Sequence, residues 1–288
     1  MSEPKASEKV TTANAEQAEA WNGTTGTKWV RYQDRLDRML SPFCDRLLDV
    51  AAIGDGEFVL DVGCGCGATT LEAAKRAGAK GHVQGIDLSA PMTDRARQRN
   101  AELGLNAAFD VADASSHDFG AAKFDHLISR FGVMFFDDPV SAFANLRRSL
   151  SEDATLAFIC WRSLPENQWL MSPMGAALPH MPPIEPAVPG APGPFAFADK
   201  DRVRKILAEA GFSNISFTPF DAPMILGQDL DEALEQALEI GPLSRLLLDQ
   251  EEAVRHRVTD AMRVELARHL TSAGVTLGGA TWIVQADA

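Results

Sequence analysis

The residues with the most chemical content lie in the first half of the chain. Asp61-Val62-Gly63-Cys64-Gly65-Cys66-Gly67-Ala68 follows the apolar pair Val59-Leu60 and leads into a helical stretch from Thr69 to Ala77. Glycine has no Cβ, so a strand, a glycine turn and a helix start together let backbone come close to a bound ligand. A second apolar run, from Gly81 to Ile86, ends at Asp87 with Leu88-Ser89 behind it. An acid at the end of the second strand of a βαβ unit can accept hydrogen bonds from ribose hydroxyls. Capping the next helix is the alternative for Asp87, and Ser89 is equally suited to it. Asp113 ends a third short strand that begins at Phe109. Ser129 and Arg130 end a fourth that begins at Phe124. In an open α/β sheet such carboxyl ends share one ligand crevice.

Gly63-x-Gly65-x-x-Ala68 also fits the loose dinucleotide pattern, which makes a nicotinamide- or flavin-dependent oxidoreductase one reading. Dinucleotide sites need neither an acid two residues before the first glycine nor an acid at the third strand, and this chain has both.

The ordered set Val59-Leu60-Asp61-Val62-Gly63-x-Gly65-x-Gly67, Gly85-Ile86-Asp87-Leu88-Ser89-x-x-Met92, Asp113-Ala114 and Phe124-Asp125-x-x-x-Ser129 resembles the class I S-adenosylmethionine (SAM)-dependent methyltransferases. Within them it is most similar to the small-molecule group that includes the ubiquinone and menaquinone C-methyltransferases. The motif-bearing resemblance spans about residues 55–162. It implies that Gly63, Cys64 and Gly65 approach the methionine part of SAM with their backbone, and that Asp61 orients this turn and joins the network around the amino group. It implies ribose binding by Asp87, packing of Leu88 and Met92 near the adenine, acceptance from the adenine amino group by Asp113, and donation to the ring by the Ala114 N–H. The Ser129 carbonyl would face the methionine amino group. Two departures stand out: Cys64 and Cys66 make the loop rich in thiols, and Asp61 stands where many relatives have Glu.

The elements that must position these residues follow from periodicity. Strands are expected at 56–62, 82–87, 107–111, 122–129, 154–161, 212–220 and 281–286, with helices between them at 68–77, 89–103, from Asp138 and from Asp199. The fold class is thus α/β: a Rossmann-like, seven-stranded mixed sheet with helices on both faces. The resemblance makes the last strand antiparallel and adds an N-terminal helical lid and an inserted helical cap. The expected division is a lid at 1–50, a SAM-binding core at 51–161, a proline-rich loop or lid at 162–198, and completion of the core at 199–288 with a cap at about 222–279. Residues 1–12 are expected to be mobile. Trp21 to Gly26 reads as a turn, and the stripe from Trp29 through Tyr32, Leu36, Leu40, Phe43 and Leu47 as a helix interrupted near Pro42. Nine prolines fall within 162–198; so long an irregular segment inside a domain points to a lid. The leucines at 246–248 suit either a homodimer contact or burial against the sheet.

Trp29 and Tyr32 could close over the cofactor, because an aromatic face attracts a sulfonium by about 0.5–2 kcal/mol. Arg130-Phe131-Gly132-Val133-Met134 is apolar enough to line a dry acceptor site, with Tyr32, Arg130, Phe131 and Met134 as its candidates. Arg130 would pair with Asp61 or hold a substrate carboxylate. No histidine sits in a motif that names it as a base. His117 is best placed and His126 reads as structural, so the catalytic group is left unassigned.

Composition bounds the function further. The 288 residues are 45% hydrophobic and 23% charged, ordinary for a globular chain. With 27 basic against 40 acidic residues the net charge is −13, which argues against a nucleic-acid partner. No run of about 18 apolar residues is present, and Met1 to Val10 has no apolar core, so neither a membrane span nor a signal peptide is expected. Cys44, Cys64, Cys66 and Cys160 lack paired zinc spacing and read as reduced thiols of a cytoplasmic protein, with no metal site. The expectation is a cytoplasmic methyltransferase that takes SAM, leaves S-adenosylhomocysteine and methylates a small, partly apolar organic molecule. The other readings are an NAD(P)-dependent oxidoreductase and a noncatalytic SAM-binding module.

Overall fold

The computed structural model describes residues 14–121, 123–183, 188, 190–248 and 250–288. The expectation for residues 1–12 lies outside them. In chain order the elements are α1 (Ala15–Asn22), α2 (Thr24–Arg31), α3 (Gln33–Ala51), β1 (Phe58–Val62), α4 (Ala68–Ala77), β2 (His82–Asp87), α5 (Ala90–Leu103), β3 (Ala107–Val111), β4 (Phe124–Arg130), α6 (Pro139–Arg148), β5 (Leu150–Trp161), α7 (Gln168–Ala177), α8 (Lys200–Glu209), β6 (Ser213–Gly227), α9 (Leu230–Glu239), α10 (Pro242–Leu247), α11 (Glu252–Ala267), β7 (Leu270–Thr271) and β8 (Gly274–Asp287).

The sheet runs in the order β3-β2-β1-β4-β5-β8-β6, with β7 paired to β8. β3, β2, β1, β4 and β5 are mutually parallel, and β8 lies antiparallel between β5 and β6. The mixed α/β sheet of the sequence reading is therefore present, with eight strands where seven were expected. The extra strand is the two-residue β7. The interior strands are buried on both faces, which is why β1, β4 and β5 read as near-continuous apolar runs. β1 has β2 on one side and β4 on the other, so the strand order reverses there, and the crevice beyond its carboxyl end is where this fold binds ligands.

Three local expectations change. α3 runs unbroken through Pro42. The carbonyl of Arg38, which the missing Pro42 N–H would have met, accepts instead from the Ser41 hydroxyl at 2.9 Å. The turn expected at 21–26 is shortened, since α2 begins at Thr24. Gly26 there lies against the Trp21 carbonyl, where a Cβ would sit 2.0 Å from the oxygen. The proline-rich segment holds a real helix, α7, with Leu170, Pro173, Met174 and Ala177 on its buried side. Residues 184–187 and 189 of that segment lie outside the described part.

β6 and β8 are longer than the sequence suggests, and α9, α10 and α11 lie between them in the chain. Ion pairs fasten α9 to the N-terminal helices: Lys28 to Glu239 at 2.8 Å, Arg35 to Glu235 at 2.6 Å and Arg38 to Glu232 at 2.7 Å. Of the leucines at 246–248, Leu247 is buried and Leu248 is exposed. No helix among the described residues is long and apolar enough to cross a membrane.

Candidate cofactor and acceptor site

The glycine turn is built by its own amides. Gly63 and Cys64 N–H both donate to the Ile86 carbonyl, at 2.8 and 3.1 Å, which ties the end of β1 to the end of β2. Gly65 N–H donates to Asp87 Oδ2 at 2.8 Å, and Ser89 N–H to Asp87 Oδ1 at 2.9 Å. These amides, which the sequence reading aimed at a ligand, thus lock the turn, and the backbone face left bare of side chains is what a ligand would meet. Gly63 has φ +72 and an added Cβ would lie 2.6 Å from Gly132 Cα, so the loops after β1 and β4 touch backbone to backbone. Gly67, at φ +85, starts α4 with no side-chain cap, leaving the helix N-terminus open toward the turn.

Two buried groups beside this turn lack partners. Asp61 is 1% exposed; its Oδ2 accepts from the Thr70 hydroxyl at 2.6 Å, while its Oδ1 has no hydrogen bond. Arg130 Nη1 is buried and equally unbonded. Asp61 pairs with Ile128 across the β1–β4 ladder, so Arg130, two residues further on, stands on the same face one strand over. Burial pushes the Asp61 carboxyl up to about 6, against the pull of Thr70 and of the Arg130 charge. Burial likewise raises Asp87, opposed by the N–H groups of Ser89, Gly65 and Leu88. The thiols of Cys64 and Cys66 also lie above their usual value, Cys66 at about 12, because both are desolvated and face carboxylates. At neutral pH they stay protonated, which leaves little nucleophilic or redox character in the thiol-rich loop.

The other predicted residues converge on the same rim. Asp113 is buried, with Oδ1 accepting from Ser115 N–H at 2.9 Å and Oδ2 from the Asn14 amide at 2.8 Å. Ala114 is buried beside it. Leu88 is half-buried, and its carbonyl accepts from the Asn22 amide at 2.9 Å. Met92 packs under the turn, its Cε 2.9 Å from where a Gly65 Cβ would be. The Ser129 hydroxyl donates to the Val62 carbonyl at 2.7 Å and accepts from Gly132 N–H at 3.2 Å, holding the two loops together.

Over this rim lie α1 and α2. Ser89 Oγ donates to the Trp21 carbonyl at 2.6 Å, and Trp21 meets both Trp29 and Phe135 edge-on, at 5.8 and 5.4 Å. Trp29 therefore belongs to the covering layer. Tyr32 does not turn toward the glycine loop, since its hydroxyl donates to Glu235 on α9 at 3.0 Å. Met134 is core, its carbonyl accepting from Gly193 N–H at 3.1 Å. Phe131 has φ +63, rare for a bulky residue, and stacks face to face on Trp161 at 4.1 Å, with Trp169 beyond at 5.1 Å. His126 is held by Thr155 and Glu57, and His117 lies edge-on to Phe119. Asn14, Asn22, Thr70 and Trp161 were not singled out from the sequence. Among the described residues, no group of three or more His, Cys, Asp or Glu is arranged to hold a metal.

Residues 59–153 match the methyltransferase domain family. That match covers about a third of the chain. It is similar to aklanonic acid methyltransferase DauC of Streptomyces sp. (strain C5), 38% identical over 127 residues, which are 43% of this chain and 58% of the relative. It is also similar to nocamycin O-methyltransferase of Saccharothrix syringae, 30% identical over 183 residues, 60% of this chain and 65% of the relative. The matched part thus spans less than two thirds of the length of either relative. Among solved structures, the fold resembles that of geranyl diphosphate C-methyltransferase from Streptomyces coelicolor A3(2), crystallised with Mg2+, geranyl diphosphate and S-adenosyl-L-homocysteine. The TM-score is 0.51 at 16% identity, over 86% of this chain and 78% of that one. The segment that matches the methyltransferase domain model runs from β1 into β5 and contains the glycine turn, Asp87, Asp113, Ser129 and Arg130.

Proposed function

We propose that this chain is a SAM-dependent methyltransferase that methylates an acidic oxygen of a small, partly apolar organic acceptor. The observation that carries the reading is the orphaned pair, Asp61 Oδ1 and Arg130 Nη1. A buried carboxylate and a buried guanidinium left open on one face of the sheet suit a zwitterion, and the amino-acid end of SAM is one. A dinucleotide has no such group, which sets the oxidoreductase reading aside. In this assignment Asp61 holds the ammonium and Arg130 the carboxylate. Asp87 keeps lone pairs for the ribose hydroxyls, Leu88 and Met92 flank the adenine, and Asp113 with Ala114 reads its edge beside Asn14. Gly63, Cys64 and Gly65 present bare backbone to the methionine chain, and the Ser129 carbonyl faces the ammonium. Trp29 contributes to the aromatic cover. When bound, SAM supplies an electrophilic methyl group for in-line displacement.

What the protein adds is alignment and exclusion of water. Phe131 and Trp161 form a rigid aromatic wall beyond Arg130. A carboxylate acceptor is already ionised at neutral pH and needs no general base. The two relatives named for an acid and for O-methylation support an oxygen acceptor. The net charge of −13 supports a small-molecule rather than a nucleic-acid substrate, and reduced, buried cysteines suit a cytoplasmic location.

The test is incubation of the purified protein with SAM and a panel of aromatic acids and phenols, followed by mass spectrometry. Formation of methyl esters is expected. Methyl ethers from the phenols, with the acids untouched, would contradict the carboxylate acceptor.

The Asp61 carboxyl also sets a pH dependence. A proton on Asp61 removes the charge that attracts an ammonium, so affinity for S-adenosylhomocysteine is expected to hold above about pH 7 and to fall by up to about tenfold per pH unit below about 6. The ligand-free protein responds in the opposite sense. Between 3.8 and about 6 the folded carboxyl binds a proton that the unfolded one releases, so the contribution of this group to stability falls as pH rises through that window. Calorimetric titrations across this range check the first statement, and melting curves without ligand check the second.

A further inference from the structure

Asp87 is not the sole fastener of the glycine turn. The peptide between Cys66 and Gly67 is held at both ends. Its N–H donates to the Cys64 carbonyl at 2.9 Å, and its C=O accepts from Arg99 Nη1 on α5 at 2.6 Å. Gly65 and Gly67 on either side of Cys66 have φ +54 and +85. Glycine reaches such values as readily as ordinary ones, so two glycines this close leave the turn many other shapes. Groups outside the turn must select one of them.

Arg99 is itself aimed by α3. Its Nη2 donates to Asp37 Oδ2 at 2.8 Å, and the same oxygen accepts from Gln33 Nε2 at 2.6 Å. Gln33 Oε1 in turn accepts from Arg95 Nε and Nη2, at 3.2 and 3.1 Å. Gln33 and Asp37 stand one turn apart on α3, as Arg95 and Arg99 do on α5, so the two helices meet through two rungs. Gln33 is buried, and the Asp37 and Arg99 side chains are only 24% and 19% exposed. A tie between two helices needs no more than these rungs. Arg99 uses the second arm of its planar fork for the turn, a reach that a single-point cation cannot combine with the first.

We propose that Arg99 is a positioning residue for cofactor binding: it fixes the peptide between Cys66 and Gly67, and Asp37 acts on the turn only by holding Arg99. The proposal rests on the methyltransferase reading for what the turn holds. Gln33 is the first residue of α3, one residue after the end of α2, so the chain of contacts begins at the root of the helices that cover the rim. The position of that root thus reaches the turn through Asp37 and Arg99. With Arg99 removed, the backbone face at Gly63 to Gly65 is no longer preformed, and a ligand must order the turn as it binds.

The experiment is calorimetric titration of S-adenosylhomocysteine into the full chain and its variants, at a temperature where melting curves show all of them folded. Arg99→Met is expected to bind about tenfold more weakly than wild type, the loss of one charge-assisted hydrogen bond. Arg99→Lys keeps a cationic donor for the carbonyl without the fork, and is expected to lose only about threefold. Asp37→Ala is expected to lose about threefold, and Asp37→Ala with Arg99→Met no more than Arg99→Met alone, because the first acts through the second. Arg97→Met is the control. Arg97 lies on the same helix and donates to the Phe109 carbonyl at 3.1 and 2.6 Å, outside the turn, and its loss should leave affinity as in wild type. Wild-type affinity in Arg99→Met, no recovery in Arg99→Lys, an equal loss in Arg97→Met, or losses at 37 and 99 that add in the double variant would each overturn the proposal. The wild-type titration separates the two readings: clear binding there with any of these results removes the positioning role alone, and no binding there removes both.

Discussion

Gly63→Ala is expected to lose more than 100-fold in affinity for S-adenosylhomocysteine and to melt well below wild type. The left-handed backbone at φ +72 costs an L-residue about 1–3 kcal/mol by itself. The larger effect is steric. The new methyl would lie 2.6 Å from Gly132 Cα, and that atom cannot swing aside as a side chain would. Gly132 is pinned by Ser129 Oγ, which is in turn bonded to the Val62 carbonyl. Relief therefore separates the loops after β1 and β4, and with them Asp61 and Arg130. Gly104 provides the control: it too has positive φ, +66, but nothing lies within 4 Å of an added Cβ. Gly104→Ala should show backbone strain alone and bind as wild type. If Gly63→Ala bound as tightly as Gly104→Ala, the close approach of the two loops would have no part in the site.

Asp87→Asn is expected to weaken S-adenosylhomocysteine by about 100-fold, with a smaller loss of stability. Each Asp87 oxygen already accepts one backbone N–H, from Gly65 and from Ser89. With the Leu88 N–H also drawing on the carboxylate, the remaining lone-pair capacity serves the ribose hydroxyls, and hydrogen bonds to a charged group contribute about 1.5–3 kcal/mol apiece. The amide removes the charge and turns an NH2 group toward one of the two N–H donors. The turn and the ligand contact are thus damaged together. Calorimetric titration checks the affinity, and unchanged binding would take Asp87 out of the site.

The parts of this molecule that were legible in the sequence are those whose physics is local. A strand, a glycine turn and a helix start are neighbours in the chain, and the acids at 61, 87 and 113 each sit at the end of an apolar run. Burial of whole strands likewise shows as unbroken apolar stretches. What stayed hidden depended on distant partners. Pro42 signalled a break, but a hydroxyl one residue away supplies the missing donor. The prolines at 162–198 masked the three- and four-residue spacing of Leu170, Met174 and Ala177, although Pro173 sits inside the helix they form. Asn14 meets Asp113 across 99 residues, and Tyr32 meets Glu235 across 203, separations at which sequence carries no register.

The central claim is that the turn at Gly63 to Gly67, together with Asp61 and Arg130, holds the amino-acid end of SAM. The most direct test is calorimetric titration of the wild-type protein with S-adenosylhomocysteine, with NADH and NADPH as controls. Micromolar binding of S-adenosylhomocysteine and none of either nicotinamide is predicted. Binding of a nicotinamide cofactor in its place would contradict the account and make the glycine turn a dinucleotide site.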